Sequence, residues 1–557
     1  MLAASLILPV LLPLLIVPLV LLRGSRATAL RLAPWAPLPG LILALAAPGD
    51  LHLELPGLLL GTSLGLDASG RLFLLFTALV WLLAGAFAQG WLRDDAGRHR
   101  FWAFFLATQA GNLGVCLAQD AASFYLLFAL MTFAAYGLVV HSGTAEALRA
   151  GRVYLVMAVL GEALLVVGML LAVGAAGSHR LADLAALPLS GPAAALLIAG
   201  FGIKVGVPLL HMWLPLAHPV APVPASAVLS GVILKAGLLG WLRFLPLGAH
   251  ALPEAGTALM AGGLLAMFLG VGAGLAQHNP KVLLAYSSVS QMGFMSLGVG
   301  AGLTAPSLWP LLLSAVGLYA LHHALAKSAL FLGVGLIRLR GARPASLAGL
   351  ALPALALAGA PLTSGMLAKT ELKLALAKLA APWPDLLAWA LPLAGLGTAL
   401  LMARLLWLVW NKYATAGPGA AAPRGLVTPW LLLVLASAVL VWAMAPASVR
   451  TQAPRIGTLL DAAWPTFAAA ALGLLALRLR WRAPALPPGD ILLPLSRGLA
   501  WLGRRRAVWS WAKPGVGLPD PARMAARAQR LESRLPARGA AGAWWLTLLA
   551  TLGALLG

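Results

Sequence analysis

Apolar stretches of twenty or so residues follow one another through this chain from the N-terminus to residue 481, with only short polar breaks between them. Each is long enough to cross the hydrocarbon core of a bilayer as a helix. Inside that layer only a helix or a closed barrel satisfies its own backbone. The helical length of the runs selects an all-α polytopic membrane protein of 14–16 transmembrane helices. Candidate spans run over 2–22, 33–48, 70–92, 101–118, 121–141, 152–174, 192–212, 223–247, 255–277, 281–303, 306–337, 346–379, 385–411, 428–447, 462–481 and 541–557. The first has no small-residue cleavage site after it and reads as a retained helix rather than a signal peptide.

Only 10% of the residues are charged, against about 25% in a soluble protein. The net charge of +23 does not mark a nucleic-acid binder, because no part of the chain outside its C-terminal tail is polar enough to form a basic face. The single cysteine, Cys116, excludes a disulfide framework, a CxxC zinc site and a cysteine-ligated iron–sulfur cluster. No Walker motif is present, and the histidines lack zinc-site spacing. No cofactor or metal is expected in this chain, so any redox chemistry runs through another.

Basic residues gather in alternate loops: Arg23, Arg26 and Arg31, then Arg93, Arg98 and Arg100, Arg149 and Arg152, Arg338, Arg340 and Arg343, and Lys412 and Arg424. The other loops carry Asp50, Glu54, Asp67, Asp120, Asp183, Glu254 and Asp385. Positive loops stay in the cytoplasm. The N-terminus is therefore expected outside, with residues 483–540 cytoplasmic. That tail sets Arg504, Arg505 and Arg506 beside Trp501, Trp509 and Trp511, and 521–535 reads as a basic amphipathic helix. It fits the headgroups of an anionic leaflet, or equally a basic loop held in place by the positive-inside rule.

Of 39 basic residues only nine are lysine. Arginine serves wherever a plain charge suffices, yet Lys204, Lys235, Lys327 and Lys369 fall inside apolar spans and Lys281 starts another. A lysine in the bilayer centre costs roughly 2.5–3.5 kcal/mol on insertion scales. Unlike arginine it can give up its proton, so the four interior lysines read as a proton relay, while Lys281, at a span start, reads as a lysine snorkelling to the interface. Glu162 is an intramembrane carboxylate, a type of group that is usually paired. His323 and Lys327 share a helix face four residues apart, with His322 adjacent. Glu371, two residues from Lys369, points to a different face. Lys373 and Lys378 read as snorkellers near a span end. His211, with His218, reads as loop structure. Arg404 is a relay member or an ion-pair partner. Gly270, Gly272 and Gly274 read as close helix packing. Pro208 and Pro215 flank His211, and Pro361 lies between Gly359 and Gly365 just before Lys369. Prolines there break the helices, and broken helices in two corresponding halves mark transporter sites. Lys204 and Lys369 each stand near such a break.

The stretch from Gly202 through Lys204, Pro208, His211, Trp213 and Pro215, then His218-Pro-Val-Ala-Pro222-Val-Pro224-Ala-Ser226 and Ser230-Gly-Val-Ile-Leu-Lys235, resembles the antiporter-like subunits of complex I and its relatives. Those relatives are the group 4 membrane hydrogenases and Mrp-type cation/proton antiporters. Asn279-Pro-Lys281, Tyr286 to Gly293, His323 to Lys327 and Gly359 to Glu371 agree, and the resemblance covers roughly 65–410. It implies a fourteen-helix core of two inverted five-helix repeats. These would be 101–247 and 255–411, between N-terminal helices at 1–100 and C-terminal helices at 428–481, with the tail at 483–540 and a terminal helix at 541–557. It implies Lys204 and Lys369 as the paired lysines of the broken helices, and Lys235, Lys281, His323 and Lys327 as a central polar axis. Its members sit among other membrane subunits in a bacterial-type inner membrane. The family places a glutamate where this chain has Ala129, and Glu162 on the next span is the expected substitute partner of Lys204. Three functions follow as alternatives: a proton-translocating subunit, a sodium/proton antiporter subunit, and a scaffold that no longer pumps.

Overall fold

The structure, a computed structural model, describes residues 3–49, 51–414, 424–480 and 486–489. The amphipathic segment at 521–535 and the terminal helix at 541–557 lie outside the described residues. Within them the membrane helices are α1 (Ala3–Leu21), α2 (Arg26–Ala46), α3 (Ala68–Trp91), α4 (Arg98–Leu117), α5 (Ala121–Val139), α6 (Ala145–Ala176), the half-helices α7 (Gly191–Val205) and α8 (Trp213–Val220), and α9 (Val223–Phe244). There follow α10 (Pro253–Leu275), α11 (Pro280–Thr304), α12 (Trp309–Arg340), the half-helices α13 (Pro344–Ala358) and α14 (Ser364–Leu376), α15 (Trp383–Tyr413), α16 (Arg424–Met444) and α17 (Ile456–Arg478). Twelve of these are long and apolar enough to cross a membrane. To them α4 adds twenty residues, and the two pairs of half-helices each make one interrupted pass. Every candidate span up to residue 481 is matched by one of these passes. In α4 the apolar pattern is diluted by Thr108, Gln109 and Asn112, which are buried in protein; the Asn112 side-chain oxygen accepts from Trp81 Nε1 at 2.9 Å.

Both interrupted passes break at the same four-residue pattern. Gly206-Val-Pro208-Leu209 and Gly359-Ala-Pro361-Leu362 each put the glycine at positive φ (83° and 87°) and the leucine at positive φ (72° and 61°). Glycine reaches that region without strain and caps a helix there. A leucine in it is strained. In each case the proline between them withholds an N–H that could extend the first half-helix. A tryptophan meets each break: Trp213 Nε1, from the second half of the same pass, donates to the Ile203 carbonyl at 2.8 Å, and Trp442 Nε1, from α16, to the Leu362 carbonyl at 3.1 Å. The interrupted pass is the fourth of the five from α4 to α9 and again the fourth of the five from α10 to α15.

The centre of the bundle is α9, α11 and α12. Their most apolar windows are 94–100% buried, while that of α17 is 11% buried. On the face bearing the acidic loops, a small hairpin departs from the all-α expectation: β1 (Leu51–Leu55) pairs antiparallel with β2 (Thr62–Leu66). Asp120 ties it to α5, accepting from the Ser63 and Ser123 backbone N–H groups at 2.8 Å each.

Asp67, just outside α3, caps that helix by accepting from Gly70 N at 2.6 Å, and it is bound through both oxygens by Arg243 at the end of α9. Burial alone would raise this carboxyl. The Arg243 guanidinium outweighs burial and holds it below its ordinary value of 3.8. A lowered native pKa contributes stability above the unfolded value and loses it as pH falls through the native one. Asp67→Asn should therefore lower the melting temperature at pH 7 by a few degrees, and the gap to wild type should close in melting curves taken below pH 3.8.

Candidate functional site

Lys235 is fully buried on α9. Residues Leu229–Ile233 of that helix form a π turn, a rare form whose hydrogen bonds span five residues. Lys235, five residues after Ser230, folds its ammonium back onto the Ser230 carbonyl at 2.8 Å. Gly231 lets α12 approach, because a Cβ there would stand 2.0 Å from Ser328 Oγ. The Ser230 hydroxyl shares a 2.7 Å hydrogen bond with Ser288 on α11, and Ser288 in turn donates to the Leu284 carbonyl at 3.1 Å. The same carbonyl accepts from Lys327 Nζ, on α12, at 2.7 Å, and Lys327 also donates to Ser287 Oγ. Two fully buried lysines on separate helices are thus linked through Ser230, Ser288 and the Leu284 carbonyl, with Ser287 as a second acceptor for Lys327.

This pair lies in a longer row. His323 interacts electrostatically with Lys235, Lys327 and His322, and His322 with Lys369 and Lys235. His322 Nδ1 meets Ser364 Oγ, at the start of α14, at 2.9 Å. On the other side His218, fully buried on α8 and stacked on Phe331 at 4.6 Å, interacts with Lys327 and Lys281. Lys281 reaches inward rather than to an interface: its ammonium donates to the Ala221 carbonyl at the end of α8. Among the described residues none of these lysines has a carboxylate within ion-pair distance. Carbonyls and hydroxyls hold them, at about 1.5–3 kcal/mol for each hydrogen bond to a charged group. That is enough to place a charge and too little to lock it.

Lys204 and Lys369 stand on opposite sides of their breaks. Lys204 is in the last turn of the first half-helix, two residues before Gly206. Lys369 is on the second half-helix, ten residues after Gly359, and reaches back to donate to the Leu357 and Ala358 carbonyls at 3.2 and 2.7 Å. The Lys369 ammonium therefore sits at the C-terminal end of the half-helix before the break, where the helix dipole favours a cation, while Lys204 is placed in that last turn by the chain itself. Gly359 makes the second arrangement feasible: a Cβ there would come within 2.9 Å of Lys369 Cδ.

Lys204 is 5% exposed and has its own surroundings. Its Nζ lies 5.6, 5.4 and 5.7 Å from the ring centres of Phe128, Tyr154 and Trp213, within the range of cation–π attraction. It donates to Tyr154 Oη at 3.5 Å. Glu162 lines the same cavity and interacts electrostatically with Lys204. Ala129, at the family's glutamate position, is not among the lining residues.

Other expected site residues are placed elsewhere. Glu371 accepts from Ser314 Oγ at 2.5 Å, on a different face from Lys369. Arg404 is neither in the row nor ion-paired: it donates to the Gln277 carbonyl beyond the end of α10 at 3.0 and 3.3 Å. Lys373 forms an exposed 2.8 Å pair with Asp461 instead of snorkelling alone. His211 is buried in the first break, its ring 6.1 Å from that of Tyr286. His218 is not loop structure. Residues that sequence reasoning missed are Ser230, Ser287, Ser288, Thr132, Tyr154 and Ser364. Only the unusual density of serine in Tyr286-Ser-Ser-Val-Ser pointed to any of them.

Residues 118–388 match a transmembrane family described as NADH:quinone oxidoreductase/Mrp antiporter. Hydrogenase-4 component B of Escherichia coli (strain K12) is 34% identical over 289 residues, which is 49% of this chain and 43% of that protein. Formate hydrogenlyase subunit 3 of the same organism is 41% identical over 159 residues, 28% of this chain and 26% of that one. The chain thus spans less than half the length of these curated relatives. A solved structure of the Mrp complex from Dietzia sp. DQ12-45-1b shares the fold, with TM-score 0.69 and 22% identity over 85% of this chain and 97% of that one.

Ser288 holds in place both Ser230 and the Leu284 carbonyl, the acceptors of Lys235 and Lys327, so Ser288→Ala should slow proton movement through reconstituted vesicles about fivefold, the worth of one ordinary hydrogen bond, while Ser288→Thr keeps most of it. Gly359→Ala should lose as much transport as Lys369→Ala, since both displace the same ammonium group.

Proposed function

Because this chain belongs to the antiporter-like family of complex I, hydrogenase and Mrp-type membrane subunits, we propose that it translocates protons within a multisubunit membrane complex. The observation that carries this is the buried row from Lys369 through His322, His323, Lys235 and Lys327 to His218 and Lys281, which crosses the centre of the bundle on α8, α9, α11, α12 and α14. Every side chain in it can bind and release a proton. Neighbours of like charge repel through a medium of low dielectric. A proton arriving at one member therefore favours release from the next, and the charge moves along the row by displacement. Partner subunits would supply the driving change at one end. The redox or exchange chemistry belongs to those partners, and no cofactor is assigned to this chain.

We place the chain in a bacterial-type inner membrane with its N-terminus outside, on the strength of the loop charges, and assign the basic tail to an anionic lipid surface. Sodium as the transported ion is the weaker reading. It calls for clustered oxygen ligands, and Glu162 and Glu371 are on different helices and face different neighbours. The scaffold reading rested on Ala129. It loses ground because Glu162 brings a carboxylate into the Lys204 cavity.

The test is proton uptake by inside-out vesicles carrying the whole complex. Lys327→Met and Lys235→Met should each cut uptake about a hundredfold, as expected for removing a proton carrier, with the complex still assembled. Full uptake in both variants would leave the scaffold reading standing. A rate that follows sodium concentration would favour exchange.

A further inference from the structure

We propose that Thr132 holds a single water molecule between Glu162 and Lys204, and that this water passes a proton between them in place of a direct ion pair. The inference rests on the proton-transport reading and names how its first half works.

Three polar groups from three helices line one cavity: Thr132 of α5, Glu162 of α6 and Lys204 of α7. Their exposures are 0, 5 and 5%. Thr132 Oγ1 and Glu162 Oε2 are buried without a hydrogen-bond partner. A buried oxygen left so destabilises the fold. Thr132 lies within hydrogen-bonding range of the Glu162 carboxylate, so one water can touch both. Glu162 and Lys204 do not form a direct ion pair.

The cavity offers about 10 Å³ to a water-sized sphere, which is room for about one water. A buried water needs two to four polar partners, and Thr132 Oγ1, Glu162 Oε2 and Lys204 Nζ supply three. Tyr154 is not one of them. It donates to the Thr132 carbonyl at 2.7 Å and accepts from Lys204 at 3.5 Å, so it positions the ammonium. Phe128, Tyr154 and Trp213 line the same cavity.

The step balances without any further reactant. The Lys204 ammonium gives one proton to the water as the water gives one of its own to the Glu162 carboxylate. The products are a neutral amine, a carboxylic acid and the same water. The reverse transfer resets the pair. With Ala129 at the usual glutamate position, the carboxylate comes from the next helix and lies beyond direct ion-pair reach of the lysine. The water closes that gap.

Infrared difference spectra between two pH values test this on the intact complex, recorded in ordinary and in ¹⁸O-labelled water, beside proton uptake by vesicles. The wild type should show an isolated water O–H band that shifts with the label. Thr132→Val, which keeps the shape of the side chain, should lose that band and slow uptake about fivefold, the loss expected for one ordinary hydrogen bond. Thr132→Ser should keep both. A wild type without the band, or a Thr132→Val variant that retains it, would overturn the proposal. So would a Thr132→Ser variant as slow as Thr132→Val, which would make the residue a packing element. Unchanged uptake in Lys204→Ala would overturn this step, and the transport reading beneath it would fall only if Lys235→Met and Lys327→Met were also unchanged, whereas loss in Lys204→Ala with full uptake in Thr132→Val would remove the water alone.

Discussion

The hydrocarbon layer offers no solvent for an ammonium ion, so each buried lysine must find its negative partner inside the protein. In this chain the partners are mostly main-chain carbonyls. An intact helix has few to spare, because each is committed to the residue four positions on. The fold releases them at a few places: at the two Gly-x-Pro-Leu breaks, at the π turn of α9, and at the end of α8. Lys369 takes the carbonyls of Leu357 and Ala358 at a break, Lys235 takes that of Ser230 at the π turn, and Lys281 takes that of Ala221. For these three lysines an irregular stretch of helix supplies the partner, whereas Lys327 shares the Leu284 carbonyl within α11 and Lys204 donates to Tyr154 Oη.

That requirement explains why the two broken passes can share a turn and still differ in where their lysines stand. What the turn provides is a helix end with unpaired carbonyls in the interior. A lysine just before the break belongs to that end directly. A lysine on the next half-helix can reach the same end if the capping residue has no side chain in its path, as Gly359 has none. Leu357 stands two residues before Gly359, where Lys204 stands two before Gly206, and its carbonyl is one of those that Lys369 occupies.

The spans were legible because each is a self-contained apolar run, and the buried lysines because this chain otherwise uses arginine. The breaks showed in Pro208 and Pro361. What could not be read was anything set by contact between distant segments. Ser230 and Ser288 are ordinary helix residues until α9 and α11 bring them together. Thr132 acquires meaning only from α6 and α7. His218 looked like part of a loop because the prolines around it read as punctuation, and its burial depends on Phe331 over a hundred residues later. Arg404 was ambiguous for the same reason: its partner is the Gln277 carbonyl, and a carbonyl leaves no trace in a sequence. The hairpin at 51–66 was hidden by its length, since two five-residue strands lie between apolar runs that dominate any reading of the region.

Lys204 stands outside the electrostatic row that joins the other lysines, with Glu162 as its charged neighbour. The short helix α8 nevertheless touches both. Its first residue, Trp213, covers the Lys204 ammonium with its ring and holds the end of α7 through the Ile203 carbonyl. Its C-cap, Ala221, holds Lys281. His218 lies between, facing Phe331. Eight helical residues span about 12 Å, with Pro219 among them. One short half-helix thus contacts a lysine at each end, which joins the two halves without a continuous line of titrating groups.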